Sequence, residues 1–149
     1  MNKPVVKFVK LSVNAELPKY ETPGAAGMDL KTLRAFDLEP GERKVVDTGL
    51  RVKIPEGFMG FVQPRSGLAA KDGITVLNTP GLIDCDYTGE LKVILFNSTM
   101  DKVKHFDVGD RIAQLVIVPA FQAVVEEVND LEETVRGQGG LGSTGVKSK

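Results

Sequence analysis

Proline and glycine punctuate this chain at short, regular intervals. Glu39-Pro40-Gly41-Glu42, Pro55-Glu56-Gly57, Pro64, Val108-Gly109-Asp110 and Pro119 all read as turns or strand stops. Between them lie segments of strand length. Val5 to Leu11 is β-branched and apolar, and Lys44-Val45-Val46 is a short strand. Gly49 to Ile54 alternates, with Leu50, Val52 and Ile54 on one face and Arg51 and Lys53 on the other. Phe58 to Gln63 ends at Pro64. Leu91 to Phe96 is nearly continuous apolar sequence, and Arg111 to Val118 is a long buried-strand pattern. Turn signals about every ten residues predict an all-β chain, folded as a sandwich, jelly roll or distorted β-barrel.

One segment reads as helix. Ser66 to Lys71 follows Pro64, has Ser66 in the N-cap position and stops at Asp72-Gly73. Such a short helix is a decorated loop, and its start could hold an anion. Glu126 to Thr134 is acidic and polar, a surface connection leading into a glycine-rich end. The expected organisation is one domain over residues 1–135 with a flexible C-terminal arm over 136–149. A length of 149 residues supports a real core. A net charge of −1 offers no nucleic-acid surface, so a polyanionic ligand would need a local cluster of cations. Cys85 is the single cysteine, which excludes an internal disulfide and fits a reducing compartment. No apolar run approaches a membrane span and the N-terminus lacks the apolar core of a signal peptide. The expectation is a soluble, cytoplasmic protein that binds neither nucleic acid nor membrane.

The arm, Arg136-Gly137-Gln138-Gly139-Gly140-Leu141-Gly142-Ser143-Thr144-Gly145, is too specific for a linker. Its glycines let backbone N–H groups approach a ligand, Arg136 offers a fork for phosphate oxygens, and Ser143 and Thr144 add hydroxyls. The Gly-Lys-Ser/Thr ending of a Walker loop is missing. Pro64-Arg65-Ser66-Gly67 combines a guanidinium, a hydroxyl and a glycine N–H, which suits phosphate, although a capped helix with an exposed arginine has the same sequence. In Gly81-Leu82-Ile83-Asp84-Cys85-Asp86-Tyr87-Thr88-Gly89-Glu90, Asp84 and Asp86 would share one face if on a strand, and the bland alternative is a hairpin turn. The calcium-loop likeness of that segment fails, because Leu95 stands at the twelfth position. Asp29, in Ala26-Gly27-Met28-Asp29-Leu30, is a turn aspartate or a metal-side carboxylate. Gln114 interrupts the apolar strand of Gly109-Asp110-Arg111-Ile112-Ala113-Gln114-Leu115, so its amide needs a hydrogen-bond partner. His105 alone cannot make a zinc site and reads as a surface or turn residue.

These five segments, in this order and spacing, resemble the five motifs of the trimeric deoxyuridine triphosphatases, or dUTPases. The likeness runs from about Val5 to Gly145. It implies a jelly-roll-like homotrimer and magnesium-dependent hydrolysis of dUTP to dUMP and pyrophosphate. It also implies composite sites: two motifs from one chain, the third from a neighbour and the arm from the remaining chain. By resemblance, Asp84 orients and deprotonates the attacking water. Asp29 faces Mg2+ through water, while Arg65, Ser66, Gly67 and Gln114 contact phosphates. Tyr87 packs on deoxyribose and leaves no room for a 2′-hydroxyl. Asn78 contacts the pyrimidine edge within a hairpin that reads uracil, and Arg136, Gly142, Ser143 and Thr144 grip phosphates. The family's arm carries a phenylalanine that stacks on uracil, where this chain has Leu141. Leucine can cover a base without an aromatic face, and base–aromatic stacking contributes about 1–3 kcal/mol. Two alternatives are a dCTP deaminase of the same fold, which would release ammonia, and a nucleotide-sensing protein without turnover. The full arm and the Ile83-to-Tyr87 segment argue against the first, and intact Asp29, Asp84 and Arg136 argue against the second.

Overall fold

The structure is a computed structural model that describes residues 3–145. Ten strands and one helix follow the chain: β1 Lys7–Lys10, β2 Gly27–Lys31, β3 Phe36–Leu38, β4 Arg43–Lys53, β5 Phe58–Gln63, α1 Ser66–Asp72, β6 Ile74–Val76, β7 Gly81–Ile83, β8 Glu90–Asn97, β9 Lys104–Phe106 and β10 Arg111–Pro119. They form two four-stranded sheets, ordered β1-β4-β8-β6 and β2-β10-β5-β7, and a two-stranded ribbon β3-β9. The observed pairs are antiparallel. The chain crosses repeatedly between sheets, and the all-β, jelly-roll-like expectation with one short helix is met.

The alternation written in the sequence explains the packing. In β4 and its extension Leu50, Val52 and Ile54 are buried while Arg51 and Lys53 face solvent. Leu91, Val93 and Leu95 of β8 meet Leu30, Val62, Ile112 and Leu115 of the second sheet in one core, closed by Leu38 and Phe106 of the ribbon. The apolar run 91–96 is therefore half core and half outer face: Val45 pairs with Ile94 on the outer side and stays exposed.

Three expectations change. Lys44–Val46 and Gly49–Ile54 are not separate strands; β4 runs through both, and the register slips between Asp47 and Arg51. Gly49, at φ +69°, supplies the irregularity, and the Thr48 hydroxyl donates to Leu91 O at 2.7 Å. Ser66 is not the N-cap of α1. Arg65 holds that position with extended backbone, its carbonyl accepts from Ala69 N, and no side chain caps the helix. The stop at Gly73 is as expected, at φ +66°. The segment around Asn78 is not a paired hairpin, because β6 and β7 belong to different sheets and Leu77–Pro80 is the crossover between them. Beyond Pro119, residues 120–145 form no strand or helix and are almost wholly exposed. Among the described residues no helix is long and apolar enough to cross a membrane.

Candidate active site

One register row across the second sheet assembles the first cluster. Asp29 of β2 lies opposite Gln114 of β10, which lies opposite Gln63 of β5. The Asp29 side chain is only 12 % exposed and both its oxygens are engaged. Arg65 Nε donates to Oδ1 at 2.9 Å and Arg111 Nη1 to Oδ2 at 3.3 Å. Two guanidiniums against one carboxylate leave a positive surplus, the charge a phosphate chain requires. The partner expected for Gln114 is Pro64 O, reached by Nε2 at 2.9 Å, so the amide ties β10 to the turn that delivers Arg65, Ser66 and Gly67. Gly27 makes room for it, since a Cβ there would lie 2.6 Å from Gln114 Oε1.

Arg111 has no role assigned from sequence. Strict alternation puts residues three apart on opposite faces. The bulge between Arg111 and Ala113 sets Arg111 opposite Lys31 and Gln114 opposite Asp29, which turns both to one face. No residue type in the sequence announces that bulge.

Asp84 belongs to a second cluster. It follows β7 in an exposed turn closed by Tyr87 N donating to Asp84 O at 3.2 Å. Asp84 and Asp86 are thus turn residues, not a same-face strand pair. The Tyr87 hydroxyl donates to Glu90 O at 2.7 Å, and its ring folds over Gly89, where a Cβ would lie 2.6 Å from the ring carbon Cζ. Leu82, Asp84, Tyr87, Glu90 and Lys92 border an open hollow of about 250 Å³. Asn78 stands by Gly81, its Nδ2 3.2 Å from the position of a Cβ there.

The two clusters do not meet within one chain. Ile83 pairs with Gly60, so Asp84 comes level with Met59, whereas the Asp29 row passes through Gln63. Four residue steps along the strand separate these levels, roughly 13 Å, with Pro64 and Arg65 beyond. Among the described residues the arm is hydrogen-bonded to neither. Arg136 Nε donates to Gly139 O at 2.8 Å, Ser143 N to Gly140 O and Gly145 N to Gly142 O, and Leu141 is fully exposed. Among the described residues the hydrogen bonds of 136–145 stay within the arm or reach Thr134. A groove of about 940 Å³ beside Val6, Phe8, Leu17 and Tyr20 contains none of the site residues.

Among the described residues no three His, Cys, Asp or Glu side chains are grouped to hold a metal. His105 is exposed, on β9 and not in a turn. Its Nδ1 meets Asp37 Oδ1 at 2.6 Å and its Nε2 meets Asp107 Oδ1 at 3.2 Å, and these carboxylates raise its pKa, Asp37 foremost.

Residues 13–145 match the dUTPase family model. The chain belongs to the dUTPase family. This dUTPase is 51 % identical over 138 residues to the deoxyuridine 5′-triphosphate nucleotidohydrolase of Cutibacterium acnes, covering 93 % of this chain and 91 % of that protein. It is 53 % identical over 130 residues to the enzyme of the same name from Anaeromyxobacter sp., covering 87 % and 88 %. It is also similar to a mutant Staphylococcus bacteriophage 80alpha dUTPase with dUpNHpp, at a TM-score of 0.89, 30 % identity and coverage of 95 % and 99 %. A mutant dUTPase of phage phi11 of S. aureus, described with a structural Mg(II) ion, superposes at a TM-score of 0.80 with 27 % identity over 87 % of this chain and 99 % of that one.

Proposed function

We propose that this dUTPase hydrolyses dUTP to dUMP and pyrophosphate in sites assembled from three copies of the chain. The observation that carries the composite arrangement is the register: the phosphate-gripping row at Gln63 and the carboxylate at the level of Met59 lie too far apart to flank one α-phosphate. Among the described residues the arm that must complete the grip is hydrogen-bonded to neither. A hollow of about 250 Å³ is small for a nucleoside triphosphate, as ligand sites usually span about 300–1,000 Å³. Phe121, Val124 and Val125, each more than 90 % exposed, and the outward Val45 fit a chain whose apolar surface is covered by its own copies.

Within such a site the Asp84 carboxylate accepts the proton of the water that attacks the α-phosphorus, a contribution of roughly 10²–10⁴ in rate. The P–O bond to the β-phosphate breaks and pyrophosphate leaves. Arg65, Ser66, Gly67 and Gln114 hold the phosphate chain from one subunit, and Arg136, Gly142, Ser143 and Thr144 close over it from another. Tyr87 presses on the deoxyribose, Asn78 meets the uracil edge and Leu141 covers the base. Asp29 has both oxygens committed to arginines, so it suits outer-sphere contact through water and not direct ligation. Magnesium fits such a contact, because it keeps several waters and is held largely by substrate phosphates. Bound there, it would offset charge on the phosphates.

The test is pyrophosphate release from dUTP, UTP, dTTP and dCTP, with ammonia measured in parallel. dUTP alone should turn over well, and only with magnesium. Ammonia from dCTP would establish the deaminase instead, and nucleotide binding without turnover would establish a sensor. Asp84→Asn should bind dUpNHpp yet lose most of the rate. Inactive Asp84→Asn and Arg136→Ala chains, refolded together, should recover part of the activity, because some mixed trimers hold an intact pair. A monomeric mass in solution refutes the assembly.

A further inference from the structure

Asp84 and Tyr87 sit outside any strand, on an exposed turn, yet catalysis requires both to keep fixed directions. Two cations reach into that turn from β4. Lys53 Nζ donates to Cys85 O at 2.7 Å and Arg51 Nε donates to Thr88 O at 2.8 Å. Their spacing is what a strand provides: residues two apart on one face, here the outer face. β4 is a firm base for them, since Leu50, Val52 and Ile54 beside them are buried. β1 pairs along its edge, with Lys7 opposite Lys53 and Val9 opposite Arg51. The two donors bracket Asp86-Tyr87, so the main chain is held on both sides of the tyrosine. The same segment carries the carboxylates of Asp84, Asp86 and Glu90, whose mutual repulsion two adjacent cations reduce.

We propose that Arg51 and Lys53 are positioning residues for the hydrolysis: by clamping the carbonyls of Thr88 and Cys85 they set the directions of the Asp84 carboxylate and the Tyr87 ring. The proposal rests on the reading that Asp84 and Tyr87 face the nucleotide. Both clamps are exposed, and exposed charged contacts add little to global stability. Loss of the clamps should therefore appear in the turn and in the kinetics, not in the melting temperature.

The experiment uses full-length protein with Arg51→Met and Lys53→Met, singly and together, beside Arg51→Lys and Lys53→Arg. Exchange of the Tyr87 amide, which is bonded to Asp84 O, reports the turn. In the double Met variant that amide should exchange about tenfold faster and kcat for dUTP should fall about tenfold, the equivalent of one net hydrogen bond. KM should move less, and preference for dUTP over UTP should decline. The conservative variants should restore both readouts while all variants melt alike. Unchanged exchange overturns the proposal, as does faster exchange at undiminished kcat when Asp84→Asn is inactive. If Asp84→Asn retains the rate, it is the assignment of Asp84 that has failed, and the exchange measurement alone then decides whether the cations hold the turn.

Discussion

Gly89→Ala isolates what the Tyr87 ring contributes. The Gly89 backbone lies outside the left-handed region, so alanine is not strained there by its own torsions. The obstacle is the ring: a Cβ would stand 2.5 Å from Tyr87 Oη, 2.6 Å from Cζ and 2.9 Å from Cε2. Ordinary carbon contacts lie at about 3.5–4.0 Å, so the ring must retreat by about 1 Å. That movement breaks the 2.7 Å bond from the hydroxyl to Glu90 O, a net loss of about 0.5–1.5 kcal/mol. Alanine meanwhile restricts the unfolded chain and returns about 0.4–1 kcal/mol. The two effects nearly cancel, so the melting temperature should barely change while the ring is displaced. If the ring excludes a 2′-hydroxyl, the ratio of kcat/KM for dUTP to that for UTP should drop about tenfold, since a 1 Å misplacement can cost up to about 10²-fold. The check is a double-mutant cycle. In a Tyr87→Ala background, Gly89→Ala should leave the ratio unchanged and slightly raise stability. An equal loss of selectivity in both backgrounds would refute a mechanism acting through the ring.

Three further outcomes follow from the geometry. Asp29→Asn leaves Arg65 and Arg111 without their carboxylate; a urea titration should register a loss of about 1–2 kcal/mol after allowance for solvent screening, and dUTP turnover should fall with it. Gly60→Ala would push a Cβ to 2.9 Å from Ile54 Cδ1 and 3.0 Å from Leu115 Cδ1, so calorimetry should find overpacking of about 1–3 kcal/mol, roughly 3 °C in Tm per kcal/mol. Because Asp37 and Asp107 raise the His105 pKa in the folded state, its stabilisation is complete below about pH 6.5, the unfolded value, and fades as pH rises through the folded value. His105→Gln should therefore lower Tm at acidic pH and converge with the parent at alkaline pH, and a deficit that grows with pH would contradict the assignment.

Strands are legible in the sequence where punctuation and alternation agree. Phe58–Gln63 is legible to the residue because Pro55-Glu56-Gly57 and Pro64 bracket it, and Glu39, Pro55 and Asp107 do accept the i+3 amides of their turns. The sequence misleads where a glycine serves inside a strand, as Gly49 does in β4. The pieces β3, β6, β7 and β9, three residues each, carry no period of their own; they are strands because a partner pairs with them. The residue types of the proposed site stand out in the sequence for a chemical reason, since arginine, glycine, hydroxyl and carboxylate are what a triphosphate and an attacking water demand. Their grouping is not, because it depends on one bulge and on registers between strands distant in sequence.

That grouping divides the labour of the site. Asp29, Arg65, Arg111 and Gln114 are locked together on neighbouring strands and the adjoining turn, so the cationic end is organised before any nucleotide arrives. Preformed charge lowers the reorganisation needed when phosphates bind. Asp84 is held by a turn, and among the described residues the arm has no bond to the sheets of its own chain. In the proposed assembly, binding nucleotide orders the arm, and the entropy lost in fixing its glycines has to be offset by contacts from Arg136, Ser143 and Thr144. An aromatic residue at the position of Leu141 would add a stacking face to that balance. With leucine there, a larger share of closure falls on the phosphate contacts, so losing Arg136 should weaken this enzyme more than it weakens a relative whose arm also stacks on the base.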